Sequence, residues 1–447
     1  MGASLGCAPH PAASPPAVSK DLGHEVIAER YRTPLDSSPP AAAAPDAGDT
    51  AALDREPVAA RYRIPFDRSP KLAVAPGGRM AMAWVHSDRI GAWPYIQYTL
   101  SSDGGATWTV PALRDDERGF DPALAVDHHG TFYLASIGPR GVVVAKSPVG
   151  SSRFGPPVRI GKSEGADGPS IAVTPAGTVL LTWAILGSAE AACARTVDGE
   201  HWTLAPVTPD HSPPDRIRLH FQLCTPVHGG RIWVVYADMT YRRGADDATV
   251  AGYGLQYTED DGVTWSSRET AVSLAVENAA AGSVVPSCVG EERSVWVLYG
   301  LSADPPPPKM TPRSTALRLA RSTDGGLTFE AHDNVSSRAA GDLYLTPTLV
   351  RGPEGSLHVV YYGNGAAGAG EDRGVLVWST SHDLGATFSP PVPLRSGLRF
   401  VHLGADGGDA WLGYWIGVVA AEGGLHVSYV DNVGHPSRIA YLRRPLP

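Results

Sequence analysis

The sequence lacks the features that define several common protein classes. Its 447 residues contain no apolar run close to the roughly 20 residues that span a membrane as a helix. No Gly-x-Ser-x-Gly, P-loop or dinucleotide-binding motif follows a strand-to-helix pattern, and no long helical periodicity appears. A net charge of −9 leaves no excess of cations for phosphate backbones. We therefore predict no transmembrane span, no nucleotide-driven chemistry and no nucleic-acid partner.

Cysteine is scarce as well. The four cysteines are Cys7, Cys193, Cys224 and Cys288, and none belongs to a Cys-x-x-Cys pair. The spacing of a zinc site is therefore absent, and we predict neither a metal nor a cofactor. Buried free thiols are the favoured interpretation of the last three cysteines, because free cysteine is commonly buried. One disulfide among them is the alternative.

Glycine and proline, in contrast, are abundant, with 50 and 40 residues, as expected for strands joined by many turns. Five turns repeat Ser/Thr-x-Asp-x-Gly-x-Thr-Trp/Phe or a degenerate form of it, at Ser101–Trp108, Thr196–Trp202, Thr258–Trp265, Ser322–Phe329 and Ser381–Phe388. The carboxylate can accept hydrogen bonds from the turn, the glycine supplies a positive φ and the aromatic ring packs between strands. Because five separate turns cannot converge on one substrate, we interpret the aspartates of these Asp-boxes as structural. They are Asp103, Asp198, Asp260, Asp324 and Asp383.

A second repeat lies between the Asp-boxes and indicates the fold. Seven segments each read as two strands joined by a hairpin, at Ser69–Val85, Asp121–Ile137, Gly168–Ala184, Leu223–Ala237, Ser283–Tyr299, Leu345–Tyr362 and Tyr414–Val430. A third strand precedes each Asp-box turn and a fourth follows it, which makes a four-stranded blade. We predict an all-β chain folded as a single β-propeller of seven four-stranded blades, with six blades as the alternative.

The two ends of the chain differ from the middle. The last repeat lacks a fourth strand, and we predict that Ala60–Asp67 supplies it and closes the ring, with the near-duplicate Glu29–Asp36 as the alternative donor.

Residues 1–54 are rich in Ala and Pro, which predicts a disordered tether or signal remnant before a propeller at 55–447. Ser4–Cys7 resembles the end of a bacterial lipoprotein signal, which would need an apolar segment upstream of this site. Cys7 is thus a possible lipid anchor of a secreted or cell-surface protein.

With these motifs the chain resembles the sialidase-like Asp-box (BNR-repeat) β-propellers over about residues 60 to 445. The box is specific for the architecture of this superfamily. It is not specific for an activity, because the fold hosts glycosidases, lyases, receptors and assembly factors.

The resemblance implies a set of site residues. Tyr62–Pro65 matches the family motif whose arginine holds the substrate carboxylate, which assigns that role to Arg63. Asp88 stands where sialidases place the general acid/base, Tyr414 stands in the context of their nucleophile, and Glu277 is the candidate to polarise that tyrosine. The second arginine of the family's triad has no counterpart here, which favours a protein without sialidase activity.

Loops on one face of the propeller add candidates for ligand binding. Acids mixed with arginines are more typical of a glycan or anionic-sugar surface than of an apolar cofactor pocket. Besides Arg63, the candidates are Arg89, Asp121, Asp167, His220, Asp342 and Tyr344. Turn capping is the alternative for Asp121 and Asp167, which precede prolines. His220 is well placed for acid/base work, with a packed or solvated role as its alternative.

Three functions are compatible with this pattern. The favoured one is an extracellular, monomeric propeller that recognises a glycan or protein ligand on its loop face. The alternative is a sialidase-like glycoside hydrolase acting on an anionic or complex glycan, with an aspartate as acid/base and a tyrosine as nucleophile. The second alternative is an assembly or scaffold factor. An enzyme should place two carboxylates, or a carboxylate and a tyrosine, about 5 to 10 Å apart in one cleft.

Overall fold

The computed structural model describes residues 50–52, 66–87, 94–114, 118–139, 141–160, 165–185, 191–207, 216–241, 248–266, 274–275, 285–301, 316–332, 335, 344–364, 373–399, 412–421, 423–433 and 437–446. Every regular element within these ranges is a β-strand. The strands form seven sheets, which confirms the predicted all-β fold with seven blades.

The N-terminal strand β1 (Thr50–Ala52) belongs to the last blade, and the next twelve strands build the first three blades. Blade 1 contains β2 (Phe66–Val74), β3 (Met80–Ser87), β4 (Tyr95–Ser101) and β5 (Ala112–Leu113). Blade 2 contains β6 (Phe120–Val126), β7 (Phe132–Gly138), β8 (Gly141–Ser147) and β9 (Val158–Arg159). Blade 3 contains β10 (Ala166–Val173), β11 (Val179–Ile185), β12 (Ala191–Thr196) and β13 (Thr203–Val207).

Blades 4 and 5 share one segment of chain. In chain order, the strands of this region are β14 (Arg216–Cys224), β15 (Pro226–Gly230), β16 (Ile232–Tyr241), β17 (Ala248–Thr258), β18 (Leu274–Ala275), β19 (Ser287–Glu292), β20 (Ser294–Leu301), β21 (Ala316–Ser322) and β22 (Glu330–His332). Blade 4 consists of β14, β16, β17 and β18, and blade 5 of β19 to β22. Strand β15 leaves blade 4 and pairs in parallel with β19, with Pro226 opposite Gly290. It therefore joins the two blades.

The last two blades close the ring. Blade 6 contains β23 (Tyr344–Arg351), β24 (Leu357–Gly363), β25 (Arg373–Ser381) and β26 (Val392–Arg399). Blade 7 contains β27 (Gly417–Ala421), β28 (Gly424–Asp431) and β29 (Arg438–Pro445), with β1 as its fourth strand. The first strands of successive blades contact one another in order, and β27 of blade 7 returns to β2 of blade 1. These innermost strands surround a central channel, and their N-terminal ends meet at one end of it.

Apolar side chains fill the interfaces between blades. The second strands are the most deeply packed, and every residue of β3 and of β24 is buried. Such strands read as nearly continuous apolar runs, because both of their faces contact a neighbouring blade. The fully buried Trp84 and Trp233 each contribute about 3 kcal/mol by removing apolar surface from water.

The ring is closed by a different N-terminal strand from the predicted one. Thr50–Ala52 pairs with β29, with Thr50 opposite Leu442, so the propeller includes residues before the predicted boundary at 55. The predicted donor, Ala60–Asp67, is wrong, because its last two residues begin β2 in blade 1. The buried Asp67 is held there by its side chain. Its Oδ1 accepts a hydrogen bond from Trp84 Nε1 at 3.2 Å and lies 2.7 Å from His86 Nδ1.

A disulfide joins blades 4 and 5. Cys224 at the end of β14 is bonded to Cys288 in β19, and the two Cα atoms are 5.5 Å apart. The favoured interpretation of buried free thiols is therefore wrong for these two residues and holds for Cys193, which is free and buried. The crossing of β15 to blade 5 brings the two cysteines together. Cys7 lies outside the described residues.

The Asp-boxes connect each blade to the one before it. Gly105 has a φ of +90°, its counterparts have φ values between +70° and +93°, and a Cβ atom at Gly105 would lie 2.6 Å from the Tyr441 ring of blade 7. The equivalent glycines make the same close approach to the preceding blade, at Gly199 on Tyr133, Gly262 on Leu180, Gly326 on Trp233 and Gly385 on Leu319. A residue without a side chain is needed at this point of the turn both for its backbone angle and for the contact.

One end of the channel is marked by a repeated β-bulge. Five innermost strands contain a register shift together with a residue in the left-handed region, at Ser69, Asp121, Gly168, His220 and Thr346. The next residue is proline in four of the five strands and Phe221 in β14. Proline is tolerated there because a bulge removes its position from the hydrogen-bonded ladder. The bulges place five different residues, four of them with polar side chains, at equivalent positions around the channel.

Candidate functional site

Residues from opposite blades meet near the bulges. Tyr414 lies just before β27 in blade 7, and His220 lies in the bulge of β14 in blade 4. Their ring centroids are 5.9 Å apart. Blades 4 and 7 stand three positions apart in a ring of seven, so these two side chains approach each other across the channel.

Two carboxyl groups form a hydrogen-bonded pair beside them. Asp121 and Asp167, in the neighbouring strands β6 and β10, share a side-chain hydrogen bond. Burial raises the pKa of both groups, and the charge of Asp121 helps to raise the pKa of Asp167 to about 8. At neutral pH the pair therefore retains one proton, with Asp167 as the donor and Asp121 as the acceptor. Arg68 favours the charge on Asp121.

Lys71 follows the bulge of β2 and lies between these groups. Its Nζ atom stands 4.5 Å from the centroid of the Trp415 ring. Burial lowers the pKa of Lys71 to about 7, against the opposing effect of the Asp121 charge. Burial, and then the charge of Lys71, lower the pKa of His220 to about 4, so this imidazole is neutral at physiological pH. We call Lys71, Asp121, Asp167, His220, Tyr414 and Trp415 the channel cluster.

Glycines allow the segments that carry the cluster to pack closely. At Gly413, with a φ of +84°, a Cβ atom would lie 2.5 Å from the backbone nitrogen of Ser69. The next residue, Tyr414, donates its backbone N–H to Ser69 Oγ at 3.3 Å. Gly417 makes a similarly close contact with the backbone of Lys71. The chain entering blade 7 is thus docked on β2, and this contact sets Trp415 over Lys71.

Three buried polar atoms at this end of the channel have no hydrogen-bond partner within the described ranges. They are His220 Nδ1, Thr346 Oγ1 and Trp415 Nε1. Two of them belong to bulge residues, and the third belongs to the segment docked on β2. Unpaired buried polar atoms are rare in folded proteins because each costs about 1 to 3 kcal/mol. Similar atoms occur elsewhere in the described ranges, and these three are distinguished by their place at or next to the bulged ends of the innermost strands, where a polar ligand could pair with them.

The structure brings together four of the residues chosen from the sequence, namely Asp121, Asp167, His220 and Tyr414. Tyr344 does not join them, because it is buried in an apolar cluster of blades 5 and 6 with its ring 5.5 Å from Tyr361. The other candidates, Arg63, Asp88, Arg89, Glu277 and Asp342, lie outside the described residues.

Lys71 and Trp415 were missed by the sequence analysis. A signal for Lys71 does exist, because Ser69-Pro70-Lys71 occupies the same place in its blade as Asp121-Pro122 in the next. A comparison of the residues next to these prolines from blade to blade would have drawn attention to the lysine. Trp415 carried no such signal.

The Asp-box aspartates have a different environment. Asp103 Oδ2 accepts a hydrogen bond from Thr107 Oγ1 at 2.5 Å, and its Oδ1 accepts hydrogen bonds from Thr107 N at 2.9 Å and from Ser101 Oγ at 2.8 Å. These bonds, the first most strongly, lower the pKa of this exposed group to about 2. Asp260, Asp324 and Asp383 repeat these bonds, and Asp198 bonds to His201 in place of the threonine. All five carboxylates are engaged by their own turns on the perimeter.

Two further features bear on the kind of site. The described ranges contain no group of three or more His, Cys, Asp and Glu side chains arranged to hold a metal ion. A helix long and apolar enough to cross a membrane does not occur among the described residues either.

Known proteins resemble this chain in structure rather than in sequence. No protein-family model matches it, and no curated protein does. A protein of unknown function from Dyadobacter fermentans DSM 18053 is 19% identical, covering 86% of this chain and 97% of its own, with a TM-score of 0.50. The fold is a seven-bladed β-propeller.

Two enzymes also align with this propeller. The NanB sialidase from Streptococcus pneumoniae is 12% identical over 89% of this chain and 70% of its own, with a TM-score of 0.44. The α-L-arabinofuranosidase Arb93A from Fusarium graminearum is 14% identical over 84% of this chain and 93% of its own, with a TM-score of 0.45. At these identities and TM-scores the two alignments say nothing about the activity of this chain.

Proposed function

We propose that this propeller binds a glycan at the channel cluster. The observation that carries the proposal is the set of unpaired buried polar atoms on His220, Thr346 and Trp415 beside the Asp121–Asp167 pair. Sugar hydroxyls both donate and accept hydrogen bonds. The carboxyl pair offers free acceptor oxygens, and the unpaired indole N–H of Trp415 offers a donor.

The aromatic residues of the cluster support the same proposal. Tyr414 and Trp415 lie next to each other with ring centroids 5.8 Å apart. An aromatic face packs against the C–H face of a sugar ring, while the polar edge of the ring bonds to hydroxyls. Lys71 and Arg68 balance the carboxylate, so the site suits a neutral or weakly anionic sugar.

The test is a glycan array probed with the full chain, followed by calorimetry on each glycan that binds. The proposal expects saturable binding that weakens strongly in Asp121→Ala and is unchanged in Asp103→Ala, whose carboxylate lies on the perimeter. An array without a specific signal, or equal affinity of both variants, would contradict it.

A glycoside hydrolase is the second candidate, favoured by one observation. Asp167, with a pKa near 8, carries a proton at neutral pH as a general acid must, and Tyr414 stands in the same cluster. The direct contact of the two carboxyl groups counts against their acting as a glycosidase pair, which requires about 5 to 9.5 Å between them. Fluorogenic glycosides test this candidate. Turnover lost in both Asp167→Asn and Tyr414→Phe would support an enzyme, and absence of turnover would leave binding alone.

We further propose that the protein is exported. The Cys224–Cys288 disulfide supports this localisation, because disulfides persist in oxidising compartments. Alkylation of the denatured, unreduced protein from its native cells should modify Cys193 and spare Cys224 and Cys288. Modification of Cys224 and Cys288 would contradict export.

A further inference from the structure

The Asp-boxes lie at the end of the ring opposite to the channel cluster. Within each blade, the first, second and third strands pair antiparallel. The first strand runs away from the cluster, the second returns and the third runs away again, so the Asp-box turns lie at the far end together with the hairpins between the first two strands. In blade 1, a Cβ atom at Gly78 in this hairpin would lie 3.8 Å from the Cα atom of Gly104 in the Asp-box. We call this end of the propeller the Asp-box face.

Five consecutive blades expose a large apolar side chain on the Asp-box face. Each of these residues belongs to the turn that follows the third strand, and the five are Val149 in blade 2, Val197 in blade 3, Val263 in blade 4, Leu327 in blade 5 and Leu384 in blade 6. Val197 is 76% exposed and Leu327 is 70% exposed. Isolated apolar residues are common on protein surfaces. The repetition of one in the same turn of five neighbouring blades is not scatter, and apolar side chains add nothing to the hydrogen bonds that build these turns.

The chain enters the ring on the same face. β29 is the third strand of blade 7 and therefore runs toward the Asp-box face. β1 is antiparallel to β29, with Thr50 opposite Leu442 and Ala52 opposite Ala440. Thr50 is thus the end of β1 nearer to the Asp-box face, and the chain reaches it from that side. The 49 residues before Thr50 include Cys7, whose sequence context resembles a lipoprotein signal.

We propose that the Asp-box face rests on a lipid membrane, so that the channel cluster points away from the lipid. A protein partner would need one continuous buried patch with a central cluster of contacts. The five apolar side chains are instead separated by a blade each and stand at equivalent places around a ring. A bilayer interface accepts such separate side chains when they reach one plane. The chain entry at blade 7 lies in the part of the ring that the apolar arc of blades 2 to 6 leaves open, which places a lipid attached upstream on the same side.

Charge decides which lipids suit this face. The aspartates of the five Asp-boxes lie in these turns, and the carboxylates of Glu200 and Glu259 are exposed beside them. Anionic headgroups would be repelled by these carboxylates. The membrane that fits is therefore one with zwitterionic headgroups, held by apolar contact. This inference is independent of glycan binding, since it uses no residue of the channel cluster.

The experiment is flotation of the full chain, with no lipid on Cys7, with phosphatidylcholine vesicles. We expect the protein to float with the vesicles and the partition coefficient to fall about tenfold in the double variant Val263→Asp/Leu327→Asp. The matched control is Leu113→Asp/Val158→Asp. These residues are 40% and 38% exposed, and they lie on β5 and β9 opposite the middle of a third strand, on the flank of the ring. Equal partition of the two double variants, or no flotation of the wild-type protein, would overturn the inference.

Two further measurements exclude other occupants of the face. Vesicles that contain phosphatidylglycerol should bind the protein no better than pure phosphatidylcholine. Binding that requires phosphatidylglycerol and persists in Val263→Asp/Leu327→Asp would overturn apolar contact. Sedimentation velocity without vesicles should show the same species for the wild type and this variant. Self-association that the variant loses would show that the face joins two copies of the chain instead.

Hydrogen–deuterium exchange then reads the orientation. With vesicles present, exchange should slow in the Asp-box turns of blades 3 to 6 and stay unchanged at the starts of β6, β10 and β14. Protection at those strand starts, with the turns unaffected, would place the channel end on the lipid and overturn the inference. Loss of glycan binding in a protein that still floats would overturn only the function proposed above.

Discussion

The perimeter and the channel of this propeller both use aspartate, and they treat its carboxyl group in opposite ways. On the perimeter, Asp103 is exposed and ionised, and hydrogen bonds from its own turn lower its pKa to about 2. In the channel, burial raises the pKa of Asp167 to about 8, and its partner comes from a different blade. A local turn satisfies the first group completely. The second depends on the assembly of the ring, because its proton is shared with a carboxylate of another blade, and the free acceptor oxygens of the pair remain available to a ligand.

The perimeter and the channel also differ in what is repeated from blade to blade. The Asp-boxes combine one backbone geometry with one kind of side chain, as a structural element requires. The channel bulges combine one backbone geometry with five different residues, at Ser69, Asp121, Gly168, His220 and Thr346. Strained backbone often accompanies functional sites. The left-handed bulge is therefore a scaffold on which four blades present different polar side chains, while the fifth has glycine.

The largest effect on stability is expected at an Asp-box glycine. Gly105→Ala should destabilise the fold by about 3 kcal/mol, from positive-φ strain together with the clash against Tyr441. The neighbouring Gly104 also has a positive φ, but a Cβ atom there would meet nothing within 4 Å. Gly104→Ala should therefore cost only about 1 kcal/mol. Denaturant unfolding measures both values, and equal losses would refute the contact with the preceding blade.

The next largest effect is on affinity. Asp121→Ala should weaken glycan binding about thirtyfold, or about 2 kcal/mol, because it removes a charged acceptor and leaves Lys71 and Asp167 without their partner. Asp103→Ala should leave affinity unchanged and lower only stability. Calorimetry measures the glycan affinity of both variants and so separates the two effects. A loss of affinity in Asp103→Ala equal to that in Asp121→Ala would abolish the distinction between the two regions.

The two kinds of aspartate should respond to pH with opposite sign. The folded pKa of Asp167, about 8, lies above its unfolded value, so its contribution to stability is complete below about pH 4 and is lost as the pH rises to 8. The folded pKa of Asp103 lies below its unfolded value, so its contribution is present above about pH 4 and is lost as the pH falls toward 2. Asp121 faces Asp167, and Lys71 and Arg68 face Asp121.

Melting curves of matched variants test this difference. Asp167→Asn, which retains the hydrogen bond to Asp121 without titrating, should gain about 1 to 3 °C on the wild type between pH 4 and 8. Asp103→Asn should instead approach the wild type in stability as the pH falls from 4 to 2. A constant difference across either range would show that the carboxyl group concerned has an ordinary pKa.

The smallest effect is expected at Tyr344. Its ring packs against Tyr361 in the apolar core, apart from the channel cluster. Tyr344→Phe should therefore change glycan affinity less than about twofold, since the ring that packs is retained. Tyr414→Phe is the comparison in the cluster and should weaken binding more. A larger effect at Tyr344 than at Tyr414 in calorimetry would contradict this placement.

The sequence predicted well those features that depend on short segments. An Asp-x-Gly turn forms from its own residues, so five boxes and seven hairpins were enough to predict seven blades. Asp121, Asp167, His220 and Tyr414 were found because residues that enter innermost strands necessarily reach one end of the channel.

Features that depend on distant segments were not predictable in this way. Lys71 and Trp415 meet only because the segment before β27 docks on β2, through a bond that joins residues 345 positions apart. The disulfide required the crossing of β15 to blade 5. The closing strand was misassigned because Asp67, which looked free to pair with the last blade, is instead held by Trp84 and His86 in the first.

The central claim is that the channel holds the ligand and that the aspartates of the perimeter only build the fold. Its most direct test is hydrogen–deuterium exchange of the protein with and without the glycan from the array that binds most tightly. We expect slower exchange at the starts of β2, β6, β10 and β14 and in the segment before β27, with the exchange of the Asp-box turns unchanged. Protection confined to the Asp-box turns, with the bulges unaffected, would contradict it.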